Sequence, residues 1–259
     1  MLAIAKEWAK PGVDVIEELK RLFAKLPKAP SGMTEKNRAL LVKLSDEAIV
    51  EGLVQLPDKI LALLPKKKKW TIRDHVAAQL AVAIDIQLHC ALRMQNLISL
   101  EFGTHIRMPA RPGEKVFISL RSEEMKNDHS ALFELPSDTI ARIRFYRKIV
   151  RSVIGHRGKI LFVNKTGTRK SPATLAQQLK ERVQKHLGLD VTPHQYRHIL
   201  GKFILDDKSG QIEEVKNHLR HKSSKTTVSY YAELDTLQSS RSHNKLIDKL
   251  RKGKLGDDE

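Results

Sequence analysis

The stretch HKSSKTTVSYY, residues 221–231, decides how the rest of the chain is read. It sets two adjacent tyrosines, Tyr230 and Tyr231, at the end of a lysine-rich segment in a chain with only four tyrosines. A solvated helix end needs no tyrosine pair. A tyrosine used as a nucleophile needs a base or a cluster of cations beside it, because ionising a free phenol at neutral pH costs about 4 kcal/mol. Working outward from this stretch, His221 opens it, and HQYRH at 194–198 lies upstream. His194 and Arg197 are three positions apart, so on a helix they share a face. Thr192-Pro193 marks that helix's start, where anions are favoured, and a guanidinium binds phosphate through two parallel hydrogen bonds. An H-x-x-R pair taken alone is weak, since it recurs by chance.

Further upstream, LRMQNLISL at 92–100 carries Arg93 between Leu92 and Leu97. Burying an arginine there is costly without an anion to meet it, and an intramolecular salt bridge would serve equally well. Lys126 sits near the tip of a hairpin, from which a lysine can reach a bound backbone; by itself it reads as ordinary surface.

The totals are consistent with a polyanion partner. The chain has 259 residues, enough for one large or two small domains, and a formal net charge of +17 spread along its length. Such an excess points to nucleic acid first and an anionic membrane second, but no basic amphipathic helix with a bulky aromatic face accompanies it. One cysteine, Cys90, rules out disulfides within the chain and cysteine-based zinc sites, and it fits a reducing, intracellular compartment. The first residues, MLAIAKEWAKPG, are too short and too charged for a signal peptide, and no apolar run is long enough to span a bilayer.

Periodicity places the elements. Val15, Ile16, Leu19, Leu22, Phe23 and Leu26 predict a helix within 1–27, and PKAPSG at 27–32 reads as a linker. Two or three short helices follow from Met33. Thr71 to Asp74 has capping-box spacing before a buried helix that carries Val76, Leu80, Ile84 and Leu88 on one face and ends near Cys90. KVFISLR and SALFELP flank EEMKND as a hairpin, and ILFVN at 160–164 reads as another short strand. Ser171-Pro172 and Thr192-Pro193 each begin a helix, with Gly188 near the end of the first. Ile212, Val215 and Leu219 share a helical face, and Asn244 to Leu250 forms a short amphipathic helix in a polar tail. The fold class is therefore α+β, mainly α, with a small antiparallel sheet.

Together the motifs resemble the catalytic domain of the tyrosine recombinases, the phage-integrase family, over roughly Met33 to Leu234. That family's motifs run in fixed order, and here they read LRMQNLISL, MKND, HQYRH, LRH and TTVSY, with nine residues from His221 to Tyr230. Each motif is weak and the ordered set is strong. The resemblance selects Tyr230 as nucleophile and leaves Tyr231 to packing. It implies site-specific cleavage and rejoining of duplex DNA through a covalent 3′-phosphotyrosine. In that scheme Arg93 and Arg197 clamp the phosphate, His194 acts as acid and base, His221 hydrogen-bonds the phosphate and Lys126 protonates the leaving 5′-oxygen. It implies no metal and no cofactor. It implies a tetramer on two duplexes, with the C-terminal helix docking on a neighbouring protomer.

Two positions depart from the family pattern. Asn96 stands where a carboxylate usually supports the arginines, so Arg93 is expected to be held less firmly. Arg220 stands where glycine usually ends the helix before His221. By the same resemblance, residues 1–32 are expected to be the remnant of an upstream DNA-binding domain in a truncated or unusually short form, 33–235 the catalytic domain and 236–259 a tail. The competing readings are a type IB topoisomerase-like enzyme that reseals the original strand, a non-catalytic DNA-binding relative, and, more remotely, a metal-dependent nuclease.

Overall fold

The computed structural model describes residues 11–25, 33–66, 69–108, 111, 113–125, 129–207, 212–219, 231, 239–240 and 243–251. Lys126, Arg220, His221, Tyr230 and the 27–32 linker lie outside them. The chain divides into two compact units, Met1–Gly32 and Met33–Glu259. The first contributes helix α1 (Val13–Lys25), which buries none of its residues.

In the second unit, three short helices come first: α2 (Glu35–Lys43), α3 (Glu47–Val54) and α4 (Leu56–Ala62). Helix α5 (Ile72–Cys90) starts at the expected capping box: the Thr71 side chain accepts from the Asp74 amide and the Asp74 carboxylate accepts from the Thr71 amide. Almost every residue of α5 from His75 to Gln87 is buried, more than its predicted single face, because α4 and α7 (Ser137–Val153) both pack on it, with further helices from the C-terminal half. A helix buried all round must pair its polar groups internally. The Gln79 amide donates to the Tyr146 hydroxyl and the Val163 carbonyl, both at 2.8 Å, while the Lys170 amine donates to its other end. Burial pulls the Lys170 amine down to about 8. At the edge of this core, Arg142 joins Asp58 (2.7 Å) and Asp85 (3.1 Å), tying α7 to α4 and α5.

The hairpin forms as predicted. Strands β1 (Val116–Leu120) and β2 (Ala131–Leu135) pair antiparallel, with Val116 opposite Leu135, Ile118 opposite Phe133 and Leu120 opposite Ala131. These six side chains face the core, and the alternate ones face outward, as a period of two requires. ILFVN does not form a strand. Ile160 and Val163 each make an isolated bridge, to Glu101 and Arg169, and the Phe162 carbonyl accepts from the Lys170 amide. Ile160 is half-buried and Leu161, Phe162 and Val163 are buried, so the apolar content expected of a strand is spent on packing a loop.

Helix α7 is not anticipated from the sequence. Its buried Ile140, Ile143, Tyr146, Ile149 and Val150 have helical spacing, with basic residues between them. Helix α8 (Pro172–Leu187) has Ser171 as its cap and ends at Gly188, whose φ of 66° is the left-handed turn that glycine adopts freely. Helices α6 (Met94–Ser99), α9 (Tyr196–Asp207) and α10 (Ile212–Leu219) surround the site described next. Residues 243–251 are helical, with Leu246 and Leu250 exposed.

Candidate active site

The site begins where α5 ends. Ala91 takes φ 43° and ψ 47°, a left-handed conformation that costs a non-glycine residue about 1–2 kcal/mol. This single reversal turns the chain directly into α6, with Arg93 as its N-cap residue. Two side chains hold the reversal: the Gln87 amide donates to the Leu92 carbonyl at 3.0 Å, and the Arg197 guanidinium donates to the Ala91 carbonyl at 3.0 Å.

Arg197 also donates, from its other terminal nitrogen, to the Leu219 carbonyl at the end of α10. One buried guanidinium therefore joins the backbone two residues before Arg93 to the backbone two residues before His221. Burial pulls Arg197 down to about 10, Arg93 contributes in the same direction, and Tyr231 opposes them; Arg197 stays charged at neutral pH. His194 is exposed on one side, yet partial burial and the charges of Arg197 and Arg93 hold its imidazole below its ordinary range. Arg93, His194 and Arg197 are thus close enough for their charges to act on one another. Like charges gathered this way destabilise one another unless an anion joins them.

His194 and Arg197 do not lie on one continuous helix. Thr192 caps a 3₁₀ turn over Pro193–Gln195 in a reciprocal box with Gln195, and the α-helix starts at Tyr196. The tighter turn leaves His194 at the surface while Arg197 points into the protein.

Tyr231 is buried in a small cluster with Ala91, Leu205, Val215 and Leu219. Its hydroxyl donates to the Arg197 carbonyl at 3.2 Å. Its ring lies against Gly201, where a Cβ would come within 2.6 Å of ring atoms, so only glycine fits there. Asn96 is buried, and its amide donates to the Glu124 carbonyl at 2.8 Å. The Glu124 carboxylate accepts from His105 at 2.9 Å and from the Arg121 amide at 2.7 Å. Asn96 therefore anchors the backbone two residues before Lys126, a role that the expectation of weaker support for Arg93 did not contain. Sequence reasoning also missed Ala91, Gln195, His198 and Asn37. Gln195 shows the spacing of a capping box with Thr192, whereas the left-handed alanine and the long-range pairing of Asn37 with His198 leave no local signal.

The sequence profile of the phage integrase family matches residues 56–237. The chain belongs to the phage integrase family. Among curated protein sequences none matches. Two crystal structures of XerH site-specific recombinase share this family fold. The post-cleavage complex with palindromic difH substrate is 17% identical, with a TM-score of 0.56 over 83% of this chain and 53% of that one. The pre-cleavage complex with difH substrate is 18% identical, with a TM-score of 0.54 over 80% and 51%. XerA recombinase is 17% identical, with a TM-score of 0.55 over 93% of this chain and 80% of that one. This phage integrase chain spans about half the length of the XerH chains it matches. At such identities the likeness is one of fold.

Proposed function

We propose that the chain is a tyrosine-type site-specific recombinase acting on duplex DNA inside the cell. The observation that carries this reading is Arg197: it pins together the segments leading to Arg93 and His221 while sharing one electrostatic environment with Arg93 and His194. A phosphodiester is the anion that suits two guanidinium groups and an imidazole.

In this reading the Tyr230 hydroxyl attacks a backbone phosphorus, His194 takes up the phenolic proton, and the bond to the 5′-oxygen breaks. Lys126 donates a proton to that oxygen, leaving a 3′-phosphotyrosine and a free 5′-hydroxyl. Arg93, Arg197 and His221 hold the non-bridging oxygens as charge moves onto them. Attack by the partner strand's 5′-hydroxyl reverses the step, so bond energy is retained and no nucleotide hydrolysis is needed. The working assembly is a tetramer on two duplexes, to which the exposed Leu246 and Leu250 of the 243–251 helix contribute a docking stripe. No helix among the described residues is long and apolar enough to cross a membrane.

The test is a duplex nicked beside the scissile phosphate, so that the short cleaved strand diffuses away and traps the adduct. The expected result is a covalent complex whose DNA-bearing peptide contains Tyr230, formed equally in EDTA and absent in Tyr230→Phe. An adduct on another residue, or none on any such nicked duplex, overturns the proposal. Strand exchange between two duplexes, rather than relaxation of supercoils alone, separates recombination from topoisomerase-like resealing.

A further inference from the structure

Beside Arg93, His194 and Arg197 lies a chain of hydrogen bonds whose direction is set at one end by the backbone. The Thr192 amide donates to Gln195 Oε1 at 2.8 Å, and a main-chain N–H can only donate. Gln195 must therefore present its Nε2 to the other side, where it donates to Asn37 Oδ1 at 3.1 Å. Asn37 in turn must present Nδ2 to His198 Nε2, 3.0 Å away. An acceptor is required at the last position, so Nε2 of His198 is unprotonated and the ring's one proton sits on Nδ1. Each amide orientation follows from the one before it.

The location makes this tautomer consequential. His198 is buried, its ring stands edge-on to His194 with centroids 5.5 Å apart, and it follows Arg197 in the chain. A protonated His198 there would add to the repulsion between Arg93 and Arg197 and would make His194 a poorer proton acceptor. Asn37 comes from helix α2, outside the 56–237 span that matches the family profile. We propose that Asn37 is a positioning residue for the reaction: through Gln195 on one side and His198 on the other, it holds His198 as a neutral Nδ1–H imidazole beside His194 and Arg197. The positioning role rests on the recombinase reading above, and the tautomer stands independently of it.

Two substitutions reverse the polarity from opposite ends. Asn37→Asp replaces the donor to His198 with an acceptor. Gln195→Glu removes the donor to Asn37, so that the Asn37 amide turns over and offers oxygen to His198. Either change requires a proton on His198 Nε2. Imidazole nitrogen NMR of the full chain reads this directly, the His198 signals being assigned by their loss in His198→Asn. The expected result is an unprotonated Nε2 in the wild type and a protonated one in both variants. Covalent adduct formation slows on the order of tenfold while DNA affinity is unchanged, less than the ~10²-fold that gross misplacement of a reacting group costs. In the double variant Asn37→Asp with His198→Asn, the new amide can turn its N–H toward the carboxylate, and the rate recovers. A wild-type His198 protonated on Nε2, wild-type rates in both single variants, or no recovery in the double variant overturns the proposal. A wild type with the assigned tautomer but no DNA adduct overturns the recombinase reading, and the positioning role with it.

Discussion

The Arg197 guanidinium donates to the carbonyl of Ala91 at 3.0 Å, so the residue expected to hold substrate phosphate also braces the left-handed turn that leads to Arg93. Arg197→Lys keeps the charge but cannot reach both the Ala91 and Leu219 carbonyls in a fork. We expect cleavage to fall on the order of 10²–10³-fold. Stability should fall by about 1–3 kcal/mol, as buried carbonyls lose their donors. Arg93→Lys, at a half-buried position, should lose cleavage with a stability change within about 0.5 kcal/mol. Adduct rates and denaturant midpoints measured on both variants test the difference; equal stability losses would contradict it.

Gly201 lies inside helix α9, where alanine would ordinarily gain about 1 kcal/mol. Here Gly201→Ala drives a methyl group into the buried Tyr231 ring, and overpacking of that kind costs about 1–3 kcal/mol. The net expectation is a lower melting temperature. Tyr231→Phe removes the hydrogen bond to the Arg197 carbonyl and should cost about 1 kcal/mol while still forming the DNA adduct. Loss of the adduct in Tyr231→Phe would transfer the nucleophile's role to Tyr231.

Asn96→Asp moves this chain toward the carboxylate common in the family, yet it should weaken the protein. The Glu124 carbonyl loses its 2.8 Å donor, and a buried position gains a charge. The expected cost is about 1–3 kcal/mol with no gain in cleavage. Thermal unfolding and adduct rates measured side by side decide the matter.

His75 is buried, stacks on Tyr146 and approaches its hydroxyl at 3.4 Å; burial, reinforced by the Lys170 charge, lowers its pKa to about 4. Between pH 6.5 and 4 the unfolded chain therefore takes up a proton that the folded chain refuses. Stability present above pH 6.5 is lost as pH falls through that window, by on the order of 3 kcal/mol. His75→Phe should remove this part of the slope in denaturant titrations at several pH values, and an unchanged slope would refute the assignment.

The charge of +17 predicts steep salt sensitivity in DNA binding. With roughly 6–10 phosphate contacts, affinity should drop about 10³–10⁵-fold between 50 and 200 mM salt. Binding isotherms across that range test it, and a flat response would argue for recognition dominated by bases.

What was legible in the sequence is what short-range physics decides. The Thr71–Asp74 box, the Ser171-Pro172 start with its Gly188 end, and the alternation in β1 and β2 depend on neighbours one to four residues apart. Helix α7 was equally local and was missed because its apolar stripe is interleaved with basic residues. ILFVN carries strand-like residues whose partner is a packed loop, so composition alone misleads there.

By itself the sequence determined the order of the motifs, the helix caps and the hairpin, since each follows from local hydrogen bonding and periodicity. Tertiary structure alone decided that Ala91 reverses left-handed, that Arg197 spans two carbonyls 128 residues apart in the chain, and that Asn37 reaches His198. Those arrangements depend on which buried donors and acceptors meet once the core has closed. Long-range pairing of that kind leaves no periodic trace in the chain.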